Sequence, residues 1–367
     1  MTPARILVAG AGPVGLVCAI ALKRRGHEPL VVEARDRGAA AGDARAVALS
    51  HGSRLILERL DVWRAVTATP IRHIDVSQQN GFGRARIAAA DHGIDALGHV
   101  ARLGGLIASL ERCAESLGVE MRFNCALGPD AARSGGAAAV PDALGADLLV
   151  RAEGTPGALA AVKDYRQTAI VTEAETRGPH DFRAWERFTR EGPLALLPLD
   201  AGYSVVWCMA PERAALTSAL PVDQFIAELR RATHFAPYEW TAALPPRRYP
   251  LALMRRADAG GAREVWLGNA AQALHPVAGQ GLNLGLRDAF ELSLALTDGV
   301  SNRAIASWRR ARRADRNATV AATDRYVSLF SNDFAPLRVA RGLGLAMVDL
   351  VPPLRGFVAR RMMFGLR

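Results

Sequence analysis

Cysteine is scarce and scattered in this chain. Its four cysteines, Cys18, Cys113, Cys125 and Cys208, form no CxxC pair and no metal-ligand spacing. No metal site is predicted, and the thiols read as small buried hydrophobes in a reducing compartment. No basic, apolar and small-residue leader is legible at the start. No apolar run reaches the ~18 residues at which a membrane-crossing helix is expected, so none is predicted. Internal repeats are absent, and no nucleic-acid motif accompanies the basic residues, so nucleic acid is not expected as a partner.

What is present is length, apolar content and uneven charge. The 367 residues are 50% hydrophobic, enough for two or three domains or one large α/β unit with an inserted domain. The formal net charge is +10. Residues 303–367 carry thirteen arginines against four aspartates, with no lysine or glutamate, and so hold almost all of that excess. This stretch reads either as a solvated helical surface or as one attracted to an anionic membrane or acidic partner.

The best-formed unit lies in "ARILVAGAGPVGLVCAIALKRRGHEPLVVEAR". Ile6 to Ala9 reads as a buried strand, Leu16 to Lys23 as a helix stopped at Gly26, and "PLVVE" as a second strand. Between the first strand and the helix, Gly10, Gly12 and Gly15 give G-x-G-x-x-G. The first glycine allows a tight turn, the second lets backbone approach a pyrophosphate, and the third lets helix and strand pack closely. The helix N-terminus stabilises the anion. Glu33 ends the second strand, placed to accept from a ribose hydroxyl and to disfavour a 2′-phosphate. The expected ligand is NAD or FAD.

A second glycine-rich segment, "REVWLGNAAQALHPVAGQGLNLGLRDAFEL", reads as strand (Val265 to Leu267), irregular loop, then helix from about Leu282. It resembles the G-D-A-A-H…P…G-x-G-x-N-x-G-x-x-D-A pattern of the flavoprotein aromatic hydroxylases. "GNAAQ", "ERFTREGPLALLPL", "SVVW", "TDRYVSLFSNDFAPLRVARGLGL" and "DARAVALSHGSRLILERLDVW" narrow the resemblance to the UbiH branch of the ubiquinone-biosynthesis hydroxylases, the 2-polyprenyl-6-methoxyphenol hydroxylases. It runs from residue 5 almost to the end.

The resemblance implies FAD. Gly10, Gly12, Gly15 and Glu33 would hold its ADP half, and Arg45 would approach the ribityl-pyrophosphate region. Arg102 is a second candidate contact, and Glu153 stands near the cofactor phosphates. Asn269 replaces the aspartate that meets the ribityl chain. Pro276, Gly279, Gly281, Leu282 and Asn283 would underlie the isoalloxazine. Backbone N–H groups and a helix N-terminus there suit the negative charge of reduced flavin. Arg45 also reads as a surface arginine, and Arg102 as a cap of the following helix. His275 reads as a structural hydrogen-bonding residue rather than a general base, and Trp207 and Phe188 as strand packing rather than pocket lining.

The implied fold is α/β: a Rossmann-like FAD domain with an inserted mixed β-sheet substrate domain and C-terminal helices. The FAD domain takes residues 1–70, 98–165 and 255–300, the substrate domain 71–97 and 166–254, and the helical region 301–367, with Pro352-Pro353 breaking its last stretch. The implied reaction is monooxygenation of a polyprenylated phenol with O2, NADH or NADPH being the electron donor. No side chain is assigned as catalytic, because flavin carries the chemistry. The arginine-interleaved apolar C-terminus suggests a membrane surface or other ubiquinone-biosynthesis proteins as partners, hence a cytoplasmic protein peripheral to the inner membrane.

Two features depart from the family. Its A-D-G-x-x-S motif becomes "AEGTPG", with Glu153 for the aspartate and Arg151 introduced just before. Residues 125–145 are a shortened, Ala- and Gly-rich segment. They support a second reading, a cofactor-poor homologue kept as a scaffold subunit. A third is an FAD hydroxylase of a small soluble phenol.

Overall fold

A computed structural model of the chain describes residues 3–127, 145–154, 160–233, 236, 238–256, 263–274, 279–330 and 335–365. The first elements are β1 (Arg5–Ala9), α1 (Pro13–Lys23), β2 (Glu28–Val32), β3 (Ala46–Ser50), α2 (His51–Arg59), β4 (Ala68–Ile71), β5 (His73–Gln78), β6 (Arg84–Ala88), β7 (Gly98–Arg102) and α3 (Leu103–Ser116). Next come β8 (Glu120–Arg122), β9 (Leu148–Arg151), β10 (Ala161–Arg177), β11 (Arg183–Phe188), β12 (Pro193–Leu199), β13 (Gly202–Met209), α4 (Pro211–Ser218) and α5 (Val222–Ala232). The last are β14 (Glu239–Ala243), β15 (Arg247–Arg255), β16 (Glu264–Trp266), β17 (Gln272–Ala273), α6 (Gln280–Ala295), α7 (Asn302–Phe330), α8 (Ala335–Leu350) and α9 (Pro352–Phe364). Contacts divide the chain into two units: Met1–Thr67, Arg102–Lys163 and Leu253–Val320, and Ala68–Ala101, Asp164–Ala252 and Ala321–Arg367.

The first unit is built on a five-stranded sheet in the order β16-β9-β1-β2-β8, with all neighbours parallel. Both faces of such a sheet are covered, so its central strands are apolar runs; Ile6, Leu7, Val8 and Ala9 are at most 1% exposed. The first helix begins at Pro13, three residues before the expected start. Proline lacks an N–H that the first turn would leave unbonded, and its φ is already helical.

Helix α7 enters this unit through ion pairs. Asp288 of α6 is fully buried, and its carboxylate accepts from Arg312 Nε at 2.6 Å and Arg316 Nε at 3.2 Å. Arg312 also meets Glu291 at 3.1 Å and Asp315 at 2.5 Å. Part of the arginine-rich stretch therefore balances internal carboxylates, which neither sequence reading of that charge anticipates.

The second unit carries a mixed sheet in the order β15-β10-β13-β12-β11-β5-β6, with β14 on β10. Strands β11 and β5 are parallel, while β10–β13, β13–β12, β12–β11 and β5–β6 are antiparallel. The expected strands over "HIDVSQQN", "LALLPL" and "YSVVWCM" are β5, β12 and β13, and the helix expected near Val222 to Thr233 is α5. One sheet face buries Trp185, Leu196, Tyr203 and Trp207 against Ala214 of α4 and Phe225 and Leu229 of α5. On the other face Phe188 and Val76 pack with Leu345 of α8.

Candidate functional site

The glycine turn after β1 owes its shape to clearances. Gly10 has φ +103°, and a Cβ there would stand 2.6 Å from the Ala152 carbonyl oxygen. A Cβ on Gly15 would stand 2.0 Å from the Gly10 oxygen, so only glycine lets α1 approach the turn this closely. Gly12 is the opposite case: a Cβ there would meet nothing within 4 Å, because the position faces an open cleft. No side chain caps α1 at Gly12 and no acid stands in its first turn. The helix therefore presents its amides and the positive end of its dipole to that cleft.

The cleft has a volume of about 700 Å³ and lies wholly within the first unit, inside the rough 300–1,000 Å³ range of small-molecule sites. Gly10, Gly12, Glu33, Arg45, Glu153, Asn269, Gly281 and Leu282 all line it. Sequence reading missed Arg35 and the apolar wall of Leu103, Ile107 and Leu127, which also line it.

Glu33 is buried at the end of β2. Its Oε2 accepts from the Ala11 N–H at 2.8 Å and Arg35 Nη2 at 3.2 Å, and its Oε1 from the Arg35 N–H at 3.1 Å and Nε at 2.8 Å. Burial alone would raise its pKa, but the Arg35 side chain and the two backbone donors outweigh it and hold the carboxyl below its ordinary range. The Arg35 side chain is 54% exposed, so a ribose hydroxyl can take the place of one of its bonds at small cost.

The second glycine segment approaches the same cleft. After β16, a 3-10 turn over Gly268–Ala270 sets Asn269 on the cleft wall. Gly279 is left-handed, with φ +59°, at the N-cap of α6, again without a side-chain cap. Gly281 and Leu282, in the first turn of α6, reach the cleft. Two uncapped helix N-termini thus border one cleft. Pro276 and His275 lie outside the described residues.

Asn283 does not line the cleft. It is buried, and its Oδ1 accepts from the Ser50 N–H at 2.8 Å and Ser53 Oγ at 2.7 Å. Its Nδ2 donates to the Ala48 oxygen at 2.9 Å and the Gly279 oxygen at 2.6 Å. All four of its hydrogen-bonding positions are filled, which makes it the clamp between α6 and the β3–α2 segment. Arg45 makes a forked pair with Asp43, Nε at 2.9 Å and Nη2 at 2.6 Å. Arg102 stands at the N-cap of α3 with Nη1 3.5 Å from the Ala44 oxygen; the next residue, Leu103, lines the cleft and Arg102 itself does not. Trp207 packs in the second unit's core and Phe188 on the opposite sheet face.

The departure at Glu153 has a structural partner. Arg151 is buried; its Nη1 donates to Glu153 at 2.7 Å and its Nε to Glu264 at 2.6 Å. Its guanidinium also lies 5.0 Å from the Trp266 ring centre. Burial pushes the Glu153 carboxyl up, and the Arg151 charge offsets part of that push. The segment 125–145 falls almost entirely outside the described residues, but Cys125 to Leu127 line the cleft.

An extended dinucleotide suits this set of groups: an open glycine position, two uncapped helix N-termini for its phosphates, an ionised carboxylate for its ribose and an apolar wall for a flat ring. A family model described as FAD binding domain matches residues 3–324. The ubiquinone hydroxylase UbiL of Rhodospirillum rubrum is 30% identical over 407 residues, covering 99% of this chain and 90% of that protein. The 3-demethoxyubiquinol 3-hydroxylase of Escherichia coli is 27% identical over 384 residues, covering 95% of each. Among solved structures, PqsL, a probable FAD-dependent monooxygenase from Pseudomonas aeruginosa, superposes with a TM-score of 0.73 at 18% identity, covering 94% of this chain and all of the other, and shows the fold. The chain belongs to the FAD-binding family of flavoprotein hydroxylases.

Proposed function

We propose that this FAD-dependent aromatic hydroxylase acts on a polyprenylated phenol of ubiquinone biosynthesis, of the 2-polyprenyl-6-methoxyphenol type. The full-length similarity to UbiL carries the reading. FAD, once reduced by NADH or NADPH, supplies the activation of O2 and the transfer of one oxygen atom to the ring. The chain's own groups bind and orient it. Gly12 and the N-terminus of α1 take the pyrophosphate, and Glu33 takes the adenosine ribose. Arg45 and Asn269 meet the ribityl side, and the α6 N-terminus at Gly281 and Leu282 offers amides to the pyrimidine edge. Asn283 holds that helix end in register.

The arginine-rich C-terminus supports delivery of a long-tailed substrate from a lipid surface. Val339, Leu343, Met347 and Leu350 follow one another along α8 and are 50%, 54%, 55% and 77% exposed, with Phe357 of α9 at 56%. An apolar row of this kind with arginines nearby suits an anionic membrane interface. The Arg151 partner gives Glu153 a structural reason, so that departure no longer favours a scaffold without cofactor.

The deciding experiment uses purified protein with bound flavin measured by its visible absorption. NADH or NADPH and a short-chain 2-prenyl-6-methoxyphenol are added, and the product is followed by mass spectrometry. Flavin bleaching by the reductant and a product heavier by one oxygen atom are expected. Turnover of small charged phenols in preference to the prenylated one would overturn the substrate assignment.

A further inference from the structure

The guanidinium groups buried in the first unit come with acceptors. Arg151 has Glu153 and Glu264, Arg312 has Asp288, Glu291 and Asp315, and Arg316 has Asp288 and the Trp266 carbonyl. Arg287 of α6 breaks the pattern. It is 6% exposed, and its Nε, Nη1 and Nη2 are all closed off from solvent without a hydrogen-bond partner. Asp315 Oδ2 stands 3.4 Å from Nη2, a charge contact without a hydrogen bond, and the same oxygen accepts from Arg312 at 2.5 Å. Glu291, the acid a helix offers one turn on, gives its carboxylate to Arg312. Asn283, one turn back, has all four of its positions filled. Burial pushes the Arg287 pKa down; Asp315 resists that push and Arg312 adds to it. A guanidinium buried on these terms costs stability.

Its place on α6 shows what would recover the cost. The helix starts at Gln280 with no side-chain cap and no acid in its first turn, and Gly281 and Leu282 of that turn line the cleft. Arg287 comes five residues after Leu282, about 7.5 Å along the axis. Side chains on a helix tilt towards its N-terminus, so Arg287 leans to the cleft end of α6. Asp288 and Glu291, held by Arg312 and Arg316, come after it on the same helix. The group of Arg287, Arg312 and Arg316 with Asp288, Glu291 and Asp315 is neutral as a whole, and its one cation without hydrogen bonds is the one nearest the helix start. A cation there opposes the helix dipole of the free protein. Negative charge arriving at the cleft end of α6 would turn both costs into attraction.

We infer that Arg287 is a buried countercharge for reduced FAD, raising the reduction potential of the cofactor from behind the α6 N-terminus. This rests on the placing of the pyrimidine edge at that helix end. It goes beyond that placing, because amides and a dipole belong to any helix start, whereas Arg287 is a full charge particular to this chain. The ring of oxidised FAD is neutral; two electrons and one proton leave it with one negative charge. A fixed cation nearby therefore stabilises the reduced form over the oxidised one. Arg287 acts through its field and needs no contact with the cofactor. Its lack of hydrogen bonds keeps that field from being spent on a neighbouring carboxylate, and Asp315, bonded to Arg312, cancels only part of it.

The test is an anaerobic redox titration of the FAD-loaded full chain against a reference dye, for the native protein, Arg287→Met, Arg287→Lys and Gln280→Glu. Arg287→Met should bind oxidised FAD about as well as the native protein. Its preference for reduced over oxidised FAD should fall about tenfold, the effect of one charge felt over one to two helix turns, which lowers a two-electron potential by about 30 mV. Arg287→Lys keeps the charge and should keep most of the native potential. Arg287→Met should melt no lower than the native protein, since Asp315 retains Arg312 and a buried guanidinium without acceptors is gone. Gln280→Glu tests the placing by itself, because a carboxylate in the first turn of α6 lowers the potential if the pyrimidine edge lies there, whatever Arg287 does. A native potential in Arg287→Met beside a lowered one in Gln280→Glu would overturn the countercharge and leave the placing intact. Native potentials in both would sink the placing and the countercharge with it. A native potential with a lower melting temperature in Arg287→Met would make the residue a structural tie to α7, and a potential in Arg287→Lys as low as in Arg287→Met would show that charge is not what matters.

Discussion

Arg151 donates at 2.7 Å to Glu153, which lines the cleft of the first unit. The pair turns two separate oddities of the sequence into one feature, since the extra methylene of glutamate is what brings the carboxylate to a guanidinium two residues back. The opposite edge of the same guanidinium holds Glu264. Replacing Arg151 by Met keeps the bulk and strands two carboxylates. The expected loss is about 3–5 kcal/mol, read by urea denaturation at neutral pH. Replacing Glu264 by Gln as well should recover much of that loss, and a purely additive pair of losses would argue against a coupled triad.

Gly12 and Gly15 separate cofactor binding from folding. A methyl on Gly12 enters open space, and the backbone there, at φ −73° and ψ 174°, is open to any residue. Gly12→Ala should melt within about 0.5 kcal/mol of the native protein while binding FAD roughly ten- to a hundredfold more weakly, the span of a steric insertion. A methyl on Gly15 collides with the Gly10 carbonyl, so Gly15→Ala should yield little folded protein. Native-like FAD affinity in Gly12→Ala would remove the pyrophosphate from this turn.

The contrast shows which parts of the site are legible in sequence. The glycine turn is written in one short segment: Gly10 by its positive φ, Gly15 by its clearance to the Gly10 carbonyl and Gly12 by the open space beside it leave their mark as residue types at fixed spacing, although the Ala152 carbonyl that also confines Gly10 comes from far along the chain. Strands β5, β12 and β13 are legible for the same reason, as apolar runs and alternations written along one segment. The ion pairs are not. Glu153 and Glu264 meet through Arg151 across 111 residues of chain, and Asp288 gathers Arg312 and Arg316 from the next helix. In sequence an arginine that neutralises a buried aspartate looks the same as one facing water. Asn283 is a subtler case, since its place in the glycine motif implies cofactor contact, whereas its four bonds go to Ser50, Ser53, Ala48 and Gly279.

Glu33 gives the protein a pH-dependent element whose sign is fixed. Its folded pKa lies below the 4.5 of an ordinary glutamate, with Arg35 and the Ala11 N–H overcoming burial. A depressed pKa stabilises the fold above the unfolded value, and the contribution fades as pH falls through the folded one. Glu33→Gln should therefore cost roughly 1 kcal/mol near neutral pH, the exposed Arg35 limiting the effect. The difference between the two proteins in urea titrations should shrink below about pH 4.5. A gap that persists unchanged into acid would mean that the bonds to Glu33 do not depend on its charge.

The exposed row on α8 makes a prediction that does not involve the cofactor. Leu343 and Met347 are 54% and 55% exposed, so Leu343→Asp and Met347→Asp together should leave the melting temperature within about 0.5 kcal/mol of native stability. The same pair should weaken co-sedimentation with vesicles of anionic lipid by about tenfold or more, because each replaced side chain gives up roughly 1.5–3 kcal/mol of apolar burial and adds a charge of the wrong sign. Raising salt should weaken the native interaction in the same assay, since the arginine contribution is screened over about 10 Å at 0.1 M. The apolar contribution should survive that treatment. Vesicle binding that vanishes in salt but ignores both substitutions would assign the attraction to the arginines alone and leave the apolar row for a protein partner.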